Sequence, residues 1–570
     1  MSSELARTNM KNKASLLIVI GLATTLLTAC SYFPFFKNNN GEYSYQDVNS
    51  GKSNNSSDEN SSQDASSWNG NSSTAYAPSY KYSDVVRNSV YSLSCTPSTG
   101  DVNLLVIPVW FTDSSTFIKD NSKKETVRSD IEKTYFGKNT DTMWRSVKTY
   151  YEEESHQNLS LSGKVSNWYE CGKSYKYYAQ DPASKDSGAP KTAALVKDAV
   201  DWYFNNNSGE SRLNYDADGD GYLDGVMLIY AAPDYASLQN DDYTNLWAFC
   251  FWIQEAKEQN PNKPGVNAFF WASYDYMYGS EVAFTKTGSV YHGGDTAHCN
   301  LDAHSYIHEM GHMFGLEDYY DYSNNSYQPA AAFSMQDHNV GGHDPFSVYA
   351  LGWGKAYIPN ESITINLKPF TSSGEMILLT PNWNGYNSPF DEYFLLEYYT
   401  ADGLNTFDTT YRYMADSRKR YPEGSKASGI RLWHVDARLL YTATGLFSEK
   451  QITTIPDLTI NGVHQRVVAM MSNTYYDGSS YSESYCSVLG TQYADYNLLQ
   501  LIRNNRMADY QPSDFLSESS LFTKGDSFSM NSYARQFVNY GKLNSKKELG
   551  FTFKVNSCDD SSASISIEKA

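Results

Sequence analysis

Apolar residues change their rhythm several times along this 570-residue chain. NLLVIPVWF (103–111) and GVMLIYAA (225–232) are unbroken apolar runs bounded by turn residues, which predicts buried strands. LSLSGKVSNWYE (159–170) alternates apolar and polar positions, as strands do. Between these runs the spacing turns helical: through Ile131–Tyr151, along TAALVKDAVDWYF (192–204), and from Leu301 to Phe314. Strands and helices that alternate in this way predict an α/β layer with a helix packed on a twisted sheet. After about Lys355 the texture becomes β-rich. SITINL, EMILLT, EYFLLEYY, GIRLWHV, QRVVAMM, FTFKV and SASISIE read as strands, and NLLQLIRNN (497–505) is the one helical pattern among them.

The N-terminal end follows other rules. Arg7, Lys11 and Lys13 precede an apolar run from Ala14 to Ala29, too short and too rich in Ser and Thr for a comfortable membrane span. It reads as a secretory signal. The run ends in Leu27-Thr28-Ala29-Cys30, which resembles the bacterial lipobox, so Cys30 is the expected lipidation site and new N-terminus. Residues 30–85 are rich in Ser, Asn and Gly and cannot bury enough apolar surface to offset their chain entropy, so a disordered tether is expected. The expected organisation is a lipoprotein signal peptide (1–29), the tether (30–85), an α/β domain (86–355) and a β-rich C-terminal region (356–570). The expected location is the extracellular face of a bacterial membrane, held there by acyl chains at Cys30.

Composition narrows the partners. The net charge is −20, and removing residues 1–29 makes it −22, so no basic excess exists to neutralise phosphates and nucleic acid is not expected. Hydrophobic residues make up 40% of the chain, enough for a real core, and 48 tyrosines suit a folded extracellular protein. Six cysteines follow Cys30, scattered and without CxxC spacing, which excludes a cysteine zinc knuckle as a reading.

The chemistry concentrates in HSYIHEMGHMFGLEDYYDY (304–322). His308 and His312 lie four residues apart and hence on one face of a helix, about 6 Å apart along its axis, where both imidazoles reach one ion. Glu309 lies beside them, placed to act on a metal-activated water rather than to bind the metal. His304 invites a three-histidine reading, but it stands about 12 Å from His312 on a straight helix, too far to share an ion. Gly315 can end the helix in a left-handed conformation and turn the chain back beneath it. Asp318 is then the first choice for the third ligand, with Glu317, Asp321 and His338 as weaker candidates.

HExxHxxGxxD, as His308 to Asp318, resembles the extended zinc motif of the metzincin clan with Asp in third position. The longer string HEMGHMFGLEDYYDY is similar to the immune inhibitor A family of secreted metallopeptidases, as are FSMQDHNVGGHDPFSVYALGWGKA (333–356), DADGDGYLDGVMLIYAA (216–232), SVKTYYEEESHQNLSLSGKV (146–165), EYFLLEYY and GIRLWHVD. The similarity covers roughly residues 100 to 440. It implies a metzincin-like α/β (α+β) catalytic domain, a zinc cofactor, protein or peptide substrates, and a Met-turn methionine beneath the zinc at Met335. Here the Met-turn is compressed into SMQDH. The expected function is that of a zinc-dependent endopeptidase; the alternative from another class is a non-catalytic adhesin or binding lipoprotein on a protease-like scaffold. Glu309 and both histidines are intact, which favours hydrolysis.

DADGDGYLDG offers a second site. Asp216, Asp218, Asp220, Tyr222 (through its carbonyl) and Asp224 fall at positions 1, 3, 5, 7 and 9 of a calcium loop, with Gly221 at the tight turn. Position 12 is Met227 rather than Glu, so a complete EF-hand is excluded. Calcium here would be structural.

Overall fold

The structure is a computed structural model. It describes residues 70–570 apart from 88–93, 180–188, 235–237, 239–244, 254–261, 279–282, 287–288, 293–300, 321–328, 413–422, 443–449, 461, 470–471, 474–495 and 506–517. The signal peptide, Cys30 and residues 30–69 of the expected tether lie outside the described residues, as do Asp321, Cys299 and Cys486.

Two large sheets organise the molecule. The first orders its strands Leu159–Val165, Gly100–Trp110, Val226–Tyr230, Ala268–Ser273 and Phe249–Trp252, with Tyr169–Glu170 also beside Gly100–Trp110. All neighbours run parallel except the last pair. Helices cover both faces, which explains the unbroken apolar runs. Val102, Leu104 and Val106 point into a core shared with helices Asn121–Phe136, Val147–Glu154 and His304–Met313. Leu105, Ile107 and Val109 face the opposite core, where Leu195, Val196, Ala199 and Val200 of helix Ala189–Asn206 pack.

The second sheet orders Ala75–Tyr76, Lys355–Tyr357, Glu375–Leu379, Glu392–Tyr399, Gly429–Asp436 and Leu499–Ile502. One face, with Met376, Leu378, Tyr393, Leu395 and Trp433, joins the core that contains the motif helix. The other, with Ile377, Phe394, Leu396 and Leu432, packs on a four-stranded sheet that ends in the C-terminal hairpin Phe551–Cys558 and Ala563–Lys569. One core therefore runs without a break across residue 355, and the β-rich region is a wall of the motif helix's own compartment.

Four expectations need correction. The helical stretch Ile131–Tyr151 is two helices, because Gly137 ends the first and Ser146 caps the second through a reciprocal bond pair with Thr149. The motif helix itself is shorter than Leu301–Phe314, running from His304 to Met313. NLLQLIRNN is not helical: Leu499–Ile502 is a strand paired with Leu432–Val435. A strand buried on both faces shows an apolar run that periodicity cannot tell from a helix. The tether also ends earlier than residue 85. Helix Tyr82–Arg87 buries Tyr82, Val85 and Val86, and Ala75–Tyr76 joins the second sheet. Three apolar anchors at helical spacing within a polar segment suffice to dock it.

Candidate metal centre

The motif helix is buried all round: Tyr306, Ile307, His308, Glu309, Met310, His312 and Met313 are each less than a tenth exposed. It lies against the strands Phe249–Trp252 and Ala268–Ser273 and against helix Val147–Glu154. Tyr306 donates its hydroxyl to the Ser273 carbonyl at 2.7 Å, and Tyr151 donates to the Ile307 carbonyl at 2.6 Å. These two buried bonds fix the helix's position along its axis and its rotation.

Three donor atoms converge at its C-terminal half. His308 Nε2 lies 3.0 Å from Asp318 Oδ1, His312 Nε2 lies 3.3 Å from the same oxygen, and the two Nε2 atoms are 3.3 Å apart. Donors about 2.0–2.1 Å from a common centre in a tetrahedron lie about 3.3 Å from one another, so the triangle fits zinc with a fourth position left over. The far nitrogen of each ring is also committed. His308 Nδ1 donates to the Met335 carbonyl at 2.7 Å and His312 Nδ1 to the Leu316 carbonyl at 2.8 Å, which leaves both Nε2 lone pairs directed at Asp318.

Gly315 brings Asp318 there. Its φ is +98°, and its N–H bonds back to the His312 carbonyl while Leu316 N–H bonds to the Gly311 carbonyl. The returning chain is then clamped, since Tyr319 N–H donates to the Gln336 carbonyl at 2.9 Å and Asn473 donates to the Tyr319 carbonyl at 2.9 Å. Electrostatics agree with the geometry. Burial opposes a charged His308, yet Asp318 outweighs it and pushes the imidazole pKa up to about 9. Burial likewise opposes ionisation of Asp318, and the two imidazoles hold its carboxyl well below the usual range. Both shifts express one demand, a cation among the three side chains, met by a proton when no metal is bound.

The other candidates fall elsewhere. His304 opens the helix, and its Nε2 pairs with the Asn339 carbonyl at 2.9 Å; burial lowers its pKa to about 3 and keeps it neutral. Glu317 is half-buried, its surroundings raise its pKa to about 7, first by desolvation, and it lies outside the triangle. His338 Nδ1 meets Asp337 Oδ1 at 2.5 Å, with its ring against Tyr320, whose own ring stacks 6.4 Å from His308. Met335 enters the site through its carbonyl. The Gln336 side chain also lies against His312, with its Nε2 3.4 Å from both ring nitrogens, while the Met335 side chain is fully buried. Spacing gave no sign of Gln336, although a glycine inside a helix, Gly311, marks a close approach by something.

At the acidic loop, Asp216, Asp218 and Asp224 bring carboxylate oxygens within 4.8 Å of one another. Asp216 Oδ1 is buried with no hydrogen-bond partner, whereas Asp220 Oδ1 accepts from Tyr222 N–H at 2.8 Å and so closes its own turn. Arg87, which the sequence did not connect with the loop, pairs with Asp218 at 2.6 Å.

Comparison with known proteins gives this arrangement a context. Residues 112–338, which contain the whole triangle, match the family model described as "Immune inhibitor A peptidase M6, catalytic domain". The pre-pro-metalloprotease PrtV of Vibrio cholerae serotype O1 is 24% identical over 254 residues, in strain M66-2 and in strain ATCC 39315 / El Tor Inaba N16961 alike. That similarity takes in 40% of this chain, which spans about a quarter (25%) of the length of those relatives. Family match and relatives together support a metalloprotease catalytic domain that includes residues 112–338.

Proposed function

We propose that the chain is a zinc-dependent endopeptidase that cleaves proteins or peptides outside the cell, tethered through lipid at Cys30. The observation that carries the reading is the 3.0–3.3 Å triangle of His308 Nε2, His312 Nε2 and Asp318 Oδ1. Zinc held there would act as a Lewis acid on the scissile carbonyl and acidify water at its open position. The chain's own residues do the rest. Glu309, one residue along the helix from His308 and only 3% exposed, is the general base that takes the proton from the attacking water and hands it to the leaving amine. The buried tyrosine and methionine shell around the helix keeps bulk water from competing for that carboxylate. Purified protein should cut casein or a peptide library, and a zinc chelator should stop it. Glu309→Ala should retain zinc while turnover falls by about 10²–10⁴-fold, the usual worth of a general base. Full activity in Glu309→Ala, or no chelator effect, would overturn the assignment. Labelling by a radiolabelled fatty acid, lost in Cys30→Ser, tests the anchor.

The acidic loop is proposed as a structural calcium site. The buried, unpartnered Asp216 Oδ1 beside two further carboxylates supports it.

A further inference from the structure

Gln336 follows Met335 in the segment that passes beneath the motif helix, and it is completely buried. Its Nε2 lies 3.4 Å from both Nδ1 and Nε2 of His312. An atom equidistant from the two nitrogens and in the plane of the ring would collide with the carbon between them, so the amide lies over the ring's face. Neither ring nitrogen has an in-plane direction to spare in any case: Nδ1 serves the Leu316 carbonyl and Nε2 faces Asp318. The contact is therefore between the amide nitrogen and the face of the imidazole.

The opposite side of the amide is equally constrained. A Cβ built on Gly311 would fall 2.0 Å from Gln336 Oε1, 2.5 Å from its Cδ and 2.9 Å from Nε2. Position 311 lacks a side chain, and the Gln336 amide occupies the space one would take. The amide is wedged between the helix backbone and the ligand ring, and its oxygen is buried there with no hydrogen-bond partner. A buried acceptor left unsatisfied is a cost, which argues that this side chain is there to fill the space beside the ring rather than to make a hydrogen bond through its oxygen. The backbone of Gln336 is anchored independently, because its carbonyl accepts from Tyr319 N–H, one residue beyond Asp318. One residue thus touches two arms of the triangle: His312 through its amide and the Asp318 segment through its carbonyl.

We infer that Gln336 is a positioning residue of the metal centre: its amide, wedged between Gly311 and His312, fixes the plane of the His312 imidazole so that Nε2 points at the metal. The inference rests on the zinc reading above. It makes Gly311 and Gln336 a coupled pair, since a methyl at 311 and the amide of 336 need the same space.

The test uses the full chain and measures zinc affinity by competition with a chromophoric chelator, together with the visible spectrum of the cobalt(II)-loaded protein and melting of the metal-free form. Partners that orient metal-ligating histidines are worth about 10–100-fold in metal affinity. Gln336→Ala should weaken zinc binding by that factor and alter the cobalt spectrum. Gln336→Met, of similar length, should restore affinity to within about threefold by refilling the wedge. Gly311→Ala should resemble Gln336→Ala, and Gly311→Ala/Gln336→Ala should bind zinc more tightly than Gly311→Ala alone, because the methyl then has room. Should Gln336→Ala fail to fold, Gln336→Asn withdraws the amide by one carbon and serves in its place. Wild-type zinc affinity and an unchanged cobalt spectrum in whichever variant folds would overturn the role, and so would failure of both to fold, which would make Gln336 a core-packing residue. A wild-type protein that binds no zinc would instead overturn the parent reading.

Discussion

Among the buried carboxylates that face histidines, Asp318 and Glu392 have opposite surroundings. Asp318 Oδ1 faces His308 Nε2 and His312 Nε2, while the far nitrogen of each ring is held by a backbone carbonyl. Glu392, in the second sheet, faces His434 Nε2 at 3.0 Å, but both its oxygens also accept backbone N–H groups, from Asn544 and from Ser545. Arg438 stands 3.8 Å from it, and the His434 ring lies stacked on Phe394. The residue types are alike, and the donor count separates the two. The groups that contact the Glu392 carboxylate are hydrogen-bond donors, so its lone pairs are matched within the chain, as in a structural junction. The two ring nitrogens that face Asp318 Oδ1 are acceptors unless protonated, and a cation among the three reconciles them.

The largest effects should separate the two sites. Asp318→Asn or His312→Ala should lower zinc affinity by more than about 100-fold, since even residues that merely orient ligands cost 10–100-fold. Activity should fall with it. Glu392→Gln should leave zinc affinity within about twofold, because the two constellations share no side chain. A comparable loss in Glu392→Gln, read by chelator competition, would break the distinction drawn above.

Gly315→Ala comes next. Its φ of +98° strains any L side chain, and the new Cβ would meet Val86 at 2.7 Å. A cost of about 1–3 kcal/mol in folding stability is expected. Zinc affinity should drop as well, because this turn places both the Leu316 carbonyl and Asp318. A variant that melts early yet binds zinc normally would show the turn to be structural only.

The His308–His312–Asp318 group was legible because its spacing is local. A fixed four-residue spacing on a helix and a glycine three residues beyond put His308, His312 and Asp318 in one string of eleven residues. The two-sided strand Gly100–Trp110 was legible for the same reason, as an unbroken run. What could not be read were contacts closed over long separations or hidden by ambiguous periodicity. Arg87 reaches Asp218 across 131 positions, and Asn473 holds Tyr319 across 154. Leu499–Ile502 is a strand because Gly429–Asp436 offers it an edge, which no local pattern reveals. Gln336 was hidden in another way, by standing next to a methionine that the motif made the obvious choice.

Acid should act on the second constellation in a defined window. Burial would raise the Glu392 carboxyl, but His434 and then Arg438 overcome it and depress the pKa to about 2, against 4.5 for an ordinary glutamate. A carboxylate with a depressed folded-state pKa contributes stability that is present above the unfolded value and lost as pH falls through the folded one. The window is therefore about pH 4.5 down to pH 2, and the stake is on the order of 3 kcal/mol. Urea melts of the metal-free protein should lose stability over that range, and the Glu392→Gln protein should lose less. Parallel losses in the two proteins would remove Glu392 from the account and weaken its standing as the matched counterpart of Asp318.

The acidic loop falls between these cases and gives the smallest expected effect. Asp216 Oδ1 lacks a partner, as a ligand oxygen would, but Asp218 already has one in Arg87. The Arg87 side chain is 47% exposed, so the ion pair is worth at most about 1 kcal/mol. If the loop takes calcium, the guanidinium competes with it for Asp218. Arg87→Ala should then raise calcium affinity by up to about fivefold, the equivalent of that energy. Calcium should raise the melting temperature of the wild type by a few degrees, as any ligand of the folded state alone does, and Asp216→Asn should remove the shift. The sign at Arg87 is the sharper observation. A structural acidic turn, matched like Glu392, would be destabilised by Arg87→Ala and indifferent to calcium, whereas a cation site like that of Asp318 would be strengthened by losing its internal rival.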